Sequence, residues 1–150
     1  MMISLGCDHG GYELKEAIKK SLEEKEIEYK DHGTYSKESV DYPQFALAVA
    51  ESVAKGKSES GIICCGTGIG VSIVANKVPG VRAAVVGDVF SARATKEHNN
   101  ANVVCLGARV IGEGLALLIV EEWLNAEFQG GRHQDRIDLI KKIEEQYSKR

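Results

Sequence analysis

The residues best equipped for chemistry lie in one segment, Cys65-Gly66-Thr67-Gly68-Ile69-Gly70. A short apolar run, Ile62 to Cys65, reads as a buried strand, and a helical run follows from Val71 toward Lys77. Strand, glycine loop and helix is a geometry that points backbone N–H groups at an anion, and glycines let a ligand approach the main chain closely. Cys65 stands at the mouth of the turn, where a thiol near a helix N-terminus can serve as base or nucleophile. The segment is not a Walker A loop, because the Lys-Ser/Thr ending is missing. It is not a dinucleotide fingerprint either, because Ile73 stands where a further glycine is required. A Cys-dependent phosphatase would need an arginine six residues after its nucleophile, and Val71 and Gly70 occupy those places after Cys65 and Cys64. A tight turn alone would not need three alternating glycines. Packing as a small hydrophobe is the usual fate of a free cysteine; Cys64 and Cys105 read that way, and Cys65 differs by abutting the loop.

Two more clusters carry reactive side chains. His98-Asn99-Asn100 ends a helix, either as a plain polar stop or as a group suited to proton transfer and oxyanion hydrogen bonding. Arg132 and Arg136 are four apart and share a face of a helix that begins near His133. Guanidinium pairs bind phosphate bidentately, whereas the plainer reading is a solvated basic turn. His32, in a polar loop, reads as solvated.

The elements that must position these groups follow from periodicity and punctuation. Strands are expected over Met2 to Cys7, Ile27 to Asp31, Gly61 to Cys65, Val81 to Val86 and Val103 to Leu106. Helices are expected over Tyr12 to Glu24, from Tyr42 to about Lys55 with Asp41 as N-cap candidate and Pro43 early, over Asp88 to His98, and over Glu113 to Leu124. A last amphipathic helix carries Ile137, Ile140, Ile143 and Tyr147. Strands alternating with helices imply an α/β, doubly wound parallel sheet in one domain spanning residues 1–150. In such sheets ligands bind beyond the carboxyl ends of the strands. Asp8-His9, the Cys65 loop, Asp88 and Gly107-Ala108-Arg109 all follow strands there.

The bulk properties narrow the classes. A hydrophobic content of 43% supports one packed core, and a net charge of −3 gives no reason to expect nucleic acid or an anionic membrane as partner. Cys7, Cys64, Cys65 and Cys105 form no disulfide framework, since neighbours on a strand point to opposite faces, and they suggest a reducing compartment. Cys7-x-His9 is a poor metal signature, so no metal is expected. Ser4-Leu5-Gly6-Cys7 loosely matches a lipoprotein cleavage site but has no basic stretch or long apolar run before it. No run approaches the roughly 18 apolar residues of a membrane span. A cytoplasmic location is expected.

Gly6-Cys7-Asp8-His9-Gly10-Gly11, Asp41-Tyr42-Pro43, the Cys65–Gly70 loop, Ala75-Asn76-Lys77, Glu97-His98-Asn99 and Gly130-Gly131-Arg132-His133 occur in one order. Together they resemble the type B ribose-5-phosphate isomerases and the related galactose-6-phosphate isomerases, over essentially the whole chain. The resemblance implies a Rossmann-like three-layer fold, no cofactor, and a homodimer or dimer of dimers built with the C-terminal helix. It implies interconversion of ribose 5-phosphate and ribulose 5-phosphate through an enediolate. Cys65 then corresponds to the base and Thr67 to a proton relay, with the amides of Gly66, Gly68 and Gly70 and the Asn99 side chain stabilising the oxyanion. His98 with Asp8 corresponds to the ring-opening acid/base, and Tyr42 lines the sugar site. His9, Arg109, Arg132 and Arg136 hold the phosphate, the last two reaching across from a neighbouring subunit together with His133. Some relatives place a glutamate where Val71 stands, which favours Cys65 as base here. Asn100 replaces a more usual aspartate, and Cys64 a more usual aliphatic residue. The rival readings are an isomerase for a six-carbon sugar phosphate and a phosphate-binding module without catalysis.

Overall fold

The computed structural model describes residues 1–148. Five parallel strands, β1 (Met2–Cys7), β2 (Glu28–Asp31), β3 (Ser60–Cys65), β4 (Ala83–Val85) and β5 (Val103–Gly107), form one sheet in the order β2-β1-β3-β5-β4. The helices are α1 (Tyr12–Glu24), α2 (Tyr42–Ala54), α3 (Ile69–Ala75), α4 (Val89–Glu97), α5 (Glu113–Asn125) and α6 (Arg132–Ser148). Right-handed crossovers decide which face each helix covers. Steps in one direction along the sheet place α1 and α4 on one face, where α5 joins them; steps in the other direction place α2 and α3 opposite. The chain reverses direction between β1 and β3, so the loops after those strands flank the switch point.

Side-chain alternation divides the core in two. Ile62 and Cys64 of β3 pack with Leu14, Ile18 and Trp123, while Ile63 and Cys65 pack with Val49, Ala50 and Val71. The opposed directions expected of Cys64 and Cys65 are therefore observed. Gly6 and Gly61 allow α2 to lie close: a Cβ on either would come within 2.7 Å and 2.5 Å of Val49.

Three local details differ from the expectations. Strand β4 is only three residues long: before it the Arg82 N–H is taken by the Asn102 side chain, and after it the ladder with β5 closes on the Val86 N–H, which donates to the Cys105 carbonyl. Asp41 precedes α2 without a side-chain capping bond; the side-chain caps are Asp8, which closes a 3₁₀ turn over His9–Gly11 before α1 by accepting from the Gly11 N–H at 3.1 Å, and Asp88, which caps α4 by accepting from the Ser91 N–H at 2.6 Å. Helix α3 starts two residues early, at Ile69, because Gly68 takes a left-handed conformation (φ +80°) and the Thr67 hydroxyl accepts the Ile69 N–H.

Candidate active site

Asp8, His9, Tyr42, the Cys65–Gly70 loop and Arg109 all fall at the carboxyl edge of the sheet, because each follows a strand or begins the helix after one. Contacts between them are close. A Cβ on Gly10 would lie 3.4 Å from Asp8 Oδ1, 3.4 Å from the Gly66 nitrogen and 3.6 Å from an Arg109 guanidinium nitrogen. Arg109 also lies over Gly66, and its N–H donates to the Gly66 carbonyl at 3.0 Å. A Cβ on Gly70 would meet the Tyr42 ring at 2.7 Å, so this glycine makes room for the tyrosine. Gly107 serves the loop from behind, since a Cβ there would sit 2.6 Å from the Thr67 carbonyl oxygen.

Cys65 ends β3 with its sulfur turned toward the loop. The Gly68 N–H donates to Cys65 Sγ at 3.0 Å, a main-chain donor aimed at an atom that would carry charge once its proton leaves. The N–H groups of Gly66 and Thr67 meet no acceptor among the described residues. Because Thr67 Oγ1 accepts from Ile69 at 3.2 Å, the hydroxyl proton stays available to donate outward. Burial pushes the Cys7 thiol up to about 11 and raises those of Cys64 and Cys105 as well.

His9 Nδ1 accepts from the Val40 N–H at 3.2 Å. A neutral ring held in this way carries its proton on Nε2, as a donor toward the edge where Arg109 lies. A cleft of about 890 Å³ opens beside His9, Gly10 and Arg109 and continues past Tyr12 and Lys37; Cys65 and Tyr42 do not line it.

The remaining candidates are elsewhere. Helix α4 runs from the carboxyl edge back to the amino edge, so His98 and Asn99 end up beside the start of β4, where the Asn99 and Asn100 carbonyls accept from Arg82 Nε at 3.2 and 3.1 Å. Arg132, His133 and Arg136 join them, because α5 also ends at the amino edge. The four steps of β3 from Gly61 to Cys65 span about 13 Å, and Gly61 is the residue that bonds Asn102 in this cluster. Within one chain, then, His98 does not pair with Asp8 and Asn99 does not face Cys65, contrary to the simplest reading of the sequence. His133 also differs from expectation: it is buried, with its ring stacked on His98 at 4.4 Å and 14°. His98, Asn99, Arg132 and Arg136 remain exposed. Asn100 sits at φ +46°, a left-handed position that asparagine tolerates well, which accounts for an amide there.

Desolvation, with His98, Arg132 and Arg136 nearby, holds His133 below the usual imidazole value. The unfolded chain therefore binds this proton more readily than the native one. The stabilising contribution is full above about pH 6.5 and declines as pH falls below it. His32, expected in solvent, is instead half-buried with its ring against Ser4 Oγ at 3.0 Å, and burial depresses it in the same sense. His133→Phe, which keeps a ring against His98, is expected to flatten the fall in Tm between pH 7 and 5; an unchanged pH slope would mean that His133 does not titrate in this way.

A model of the ribose/galactose isomerases matches residues 3–140. The chain belongs to this family. Among solved structures, a Clostridium thermocellum ribose-5-phosphate isomerase B superposes with a TM-score of 0.98 at 55% identity, covering 99% of this chain and 100% of that one. An Escherichia coli ribose-5-phosphate isomerase B is 48% identical over 95% of this chain and 96% of its own length. A Clostridium acetobutylicum galactose-6-phosphate isomerase subunit is 44% identical over 97% and 83%. The α/β fold and the order of the motifs agree with membership, which supports isomerase activity on a sugar phosphate. No helix among the described residues is long and apolar enough to cross a membrane.

Proposed function

We propose that the chain interconverts D-ribose 5-phosphate and D-ribulose 5-phosphate through a cis-enediolate. The observation that carries this reading is Cys65, whose sulfur meets a backbone N–H beside two unused N–H donors. Abstraction of a proton next to a carbonyl needs a base and donors for the oxygen that gains charge, and this loop offers both. The Cys65 thiolate takes the proton from C2 of the open-chain aldose. The C2–H electron pair forms the C1–C2 double bond, and the carbonyl pair moves onto O1. Cys65 then returns the proton to C1, while the proton on O2 passes to O1 by way of the Thr67 hydroxyl, leaving a carbonyl at C2. His9, through Nε2–H, and Arg109 hold the phosphate, and Tyr42 walls the sugar.

The site is completed by a second copy of the chain. Ring opening and the remaining phosphate contacts fall to His98, Asn99, Arg132 and Arg136, which lie at the wrong end of the sheet to serve their own Cys65. Helix α6 buries Ile137 but leaves Leu139, Ile140 and Ile143 between 48% and 59% exposed, an apolar face suited to a partner. A two-fold dimer built on that face lends each amino-edge cluster to the other copy's thiol edge. His133 supports His98 from beneath and does not itself reach the phosphate.

His98→Asn should impair use of cyclic ribose 5-phosphate far more than deuterium exchange at C1 of ribulose 5-phosphate, a ketose that forms no furanose ring. Exchange lost as fully as ribose consumption would contradict a pure ring-opening role. The overall assignment is tested by turnover of ribose 5-phosphate, allose 6-phosphate and galactose 6-phosphate side by side. A clear preference for ribose 5-phosphate is expected. Preference for a six-carbon ester would move the substrate to the galactose-6-phosphate branch, and no turnover of any would leave a binding module.

A further inference from the structure

Lys15 is a charged residue placed where none is needed for stability alone. Its side chain is 1% exposed, among the largest fully buried in the chain. Nζ donates to Asp31 Oδ1 at 2.7 Å and to the Thr34 carbonyl at 2.5 Å, and it faces the rings of Tyr12 and Tyr35 at 5.5 and 5.2 Å. A buried ion pair gains little net stability over apolar residues of the same volume, so its presence suggests a positional task. The bonds around it indicate which. Asp31 Oδ1 also accepts the Gly33 N–H at 2.8 Å. Gly33 and Thr34 are zipped to the end of β1: the Cys7 N–H donates to the Gly33 carbonyl at 2.7 Å and the Thr34 N–H to the Cys7 carbonyl at 2.8 Å. Asp8 and His9 follow directly after β1. Beyond Thr34 the chain runs through exposed residues 35–39 and returns at Val40, whose N–H meets His9 Nδ1. The 34–40 loop thus has one deeply buried anchor, Lys15, and one functional contact, His9.

We propose that Lys15 is a positioning residue for the phosphate subsite. Its ammonium ties the Asp31–Thr34 turn to α1 while the backbone of Gly33 and Thr34 is bonded to Cys7, and through the loop that follows it holds the Val40 N–H on His9 Nδ1. That contact keeps the neutral His9 ring in the Nε2–H tautomer and leaves Nε2–H free to donate to an anion. Without the anchor the Val40 donor drifts, both tautomers become populated, and the ring offers a lone pair to the phosphate part of the time. The loss falls on binding and spares the proton transfers at Cys65. The inference rests on the proposed placement of a sugar phosphate at His9, although the tautomer itself does not.

The test uses two variants of the full chain. Lys15→Met leaves the Asp31 carboxylate with Lys19, at 3.0 Å, in place of its buried partner and can fail to fold. Lys15→Met with Asp31→Asn removes both charges and keeps the volume. In the double variant we expect KM for ribose 5-phosphate to rise about tenfold and kcat to stay within about threefold, the pattern of lost ground-state binding. A merely structural role would instead lower the active fraction at unchanged KM. Independently of turnover, ¹⁵N NMR of the His9 ring at pH 8 should give a single Nε2–H tautomer in the unaltered protein and a mixture in the double variant. An unchanged tautomer, or an unchanged KM, overturns the proposal. Absence of turnover in the unaltered protein would count against the ribose 5-phosphate reading and leave the tautomer measurement to decide on Lys15.

Discussion

Cys65→Ala should lose isomerisation by ~10²–10⁴-fold in kcat, the range over which a positioned general base contributes. The expectation is specific because the position is structurally modest. The side chain ends a strand, lies 6% exposed and gives up one sulfur on truncation, so the folded state should lose only about 1 kcal/mol. Its one polar bond, from the Gly68 N–H, joins a loop also held by Ala108 on the Cys65 carbonyl at 2.8 Å and by Arg109 on Gly66. Cys64→Ala is the matched control. That sulfur faces the opposite side of the sheet, with Leu14 and Ile18, and turnover should survive its removal. Steady-state assays on both variants, with circular dichroism to verify folding, decide the matter. Near-normal turnover by folded Cys65→Ala would remove Cys65 from the base role.

Much of the fold was legible because its signals are local. Leu14, Ile18 and Leu22 recur at helical spacing and form the buried face of α1, whose ends match the expected ones. The apolar runs of β1, β3 and β5 are buried throughout or nearly so, as central parallel strands must be. Strand order is a different kind of information. Nothing in the residues of β4 and β5 announces that β5 lies beside β3 and β4 at the edge, because pairing is settled by long-range packing.

The site divides along the same line. The Cys65 loop, Asp8-His9 and Arg109 were readable because each is punctuation after a strand, and topology gathers such loops at one edge. His98 and Asn99 were readable as chemistry but not as position. Their helix begins at the reactive edge and ends at the other, a consequence of connectivity that residue type does not encode. The stacking of His133 on His98 gave no sequence signal at all. Lys15 did leave one: it precedes Ile18 by three residues and Leu22 by seven, which sets a lysine on the apolar stripe of α1, with Asp31 waiting on the next strand. A lysine in that register is easily taken for one that bends its charge out to water.

The division of reactive groups between the two ends of the sheet makes the shared site the claim on which the account turns. Chains carrying Cys65→Ala retain an intact amino-edge cluster, and chains carrying Arg132→Ala retain an intact thiol edge. Each should be nearly inactive alone, the first for want of a base and the second because a guanidinium that contacts the phosphate only from across the dimer is gone. In a mixed dimer one site combines both lesions, and the other joins an unaltered Cys65 to an unaltered Arg132. With random pairing about half the dimers are mixed and half of their sites are whole, so recovery should approach about one quarter of the unaltered activity in the unselected mixture and about one half in purified mixed dimers. Arg132 is exposed at the first turn of α6, so its truncation should not disturb folding. The decisive measurement is the turnover of ribose 5-phosphate by co-expressed, doubly tagged mixed dimers purified through both tags. Activity well above either parent is the predicted result. Mixed dimers that form and remain as inactive as their parents would contradict a site shared between two chains.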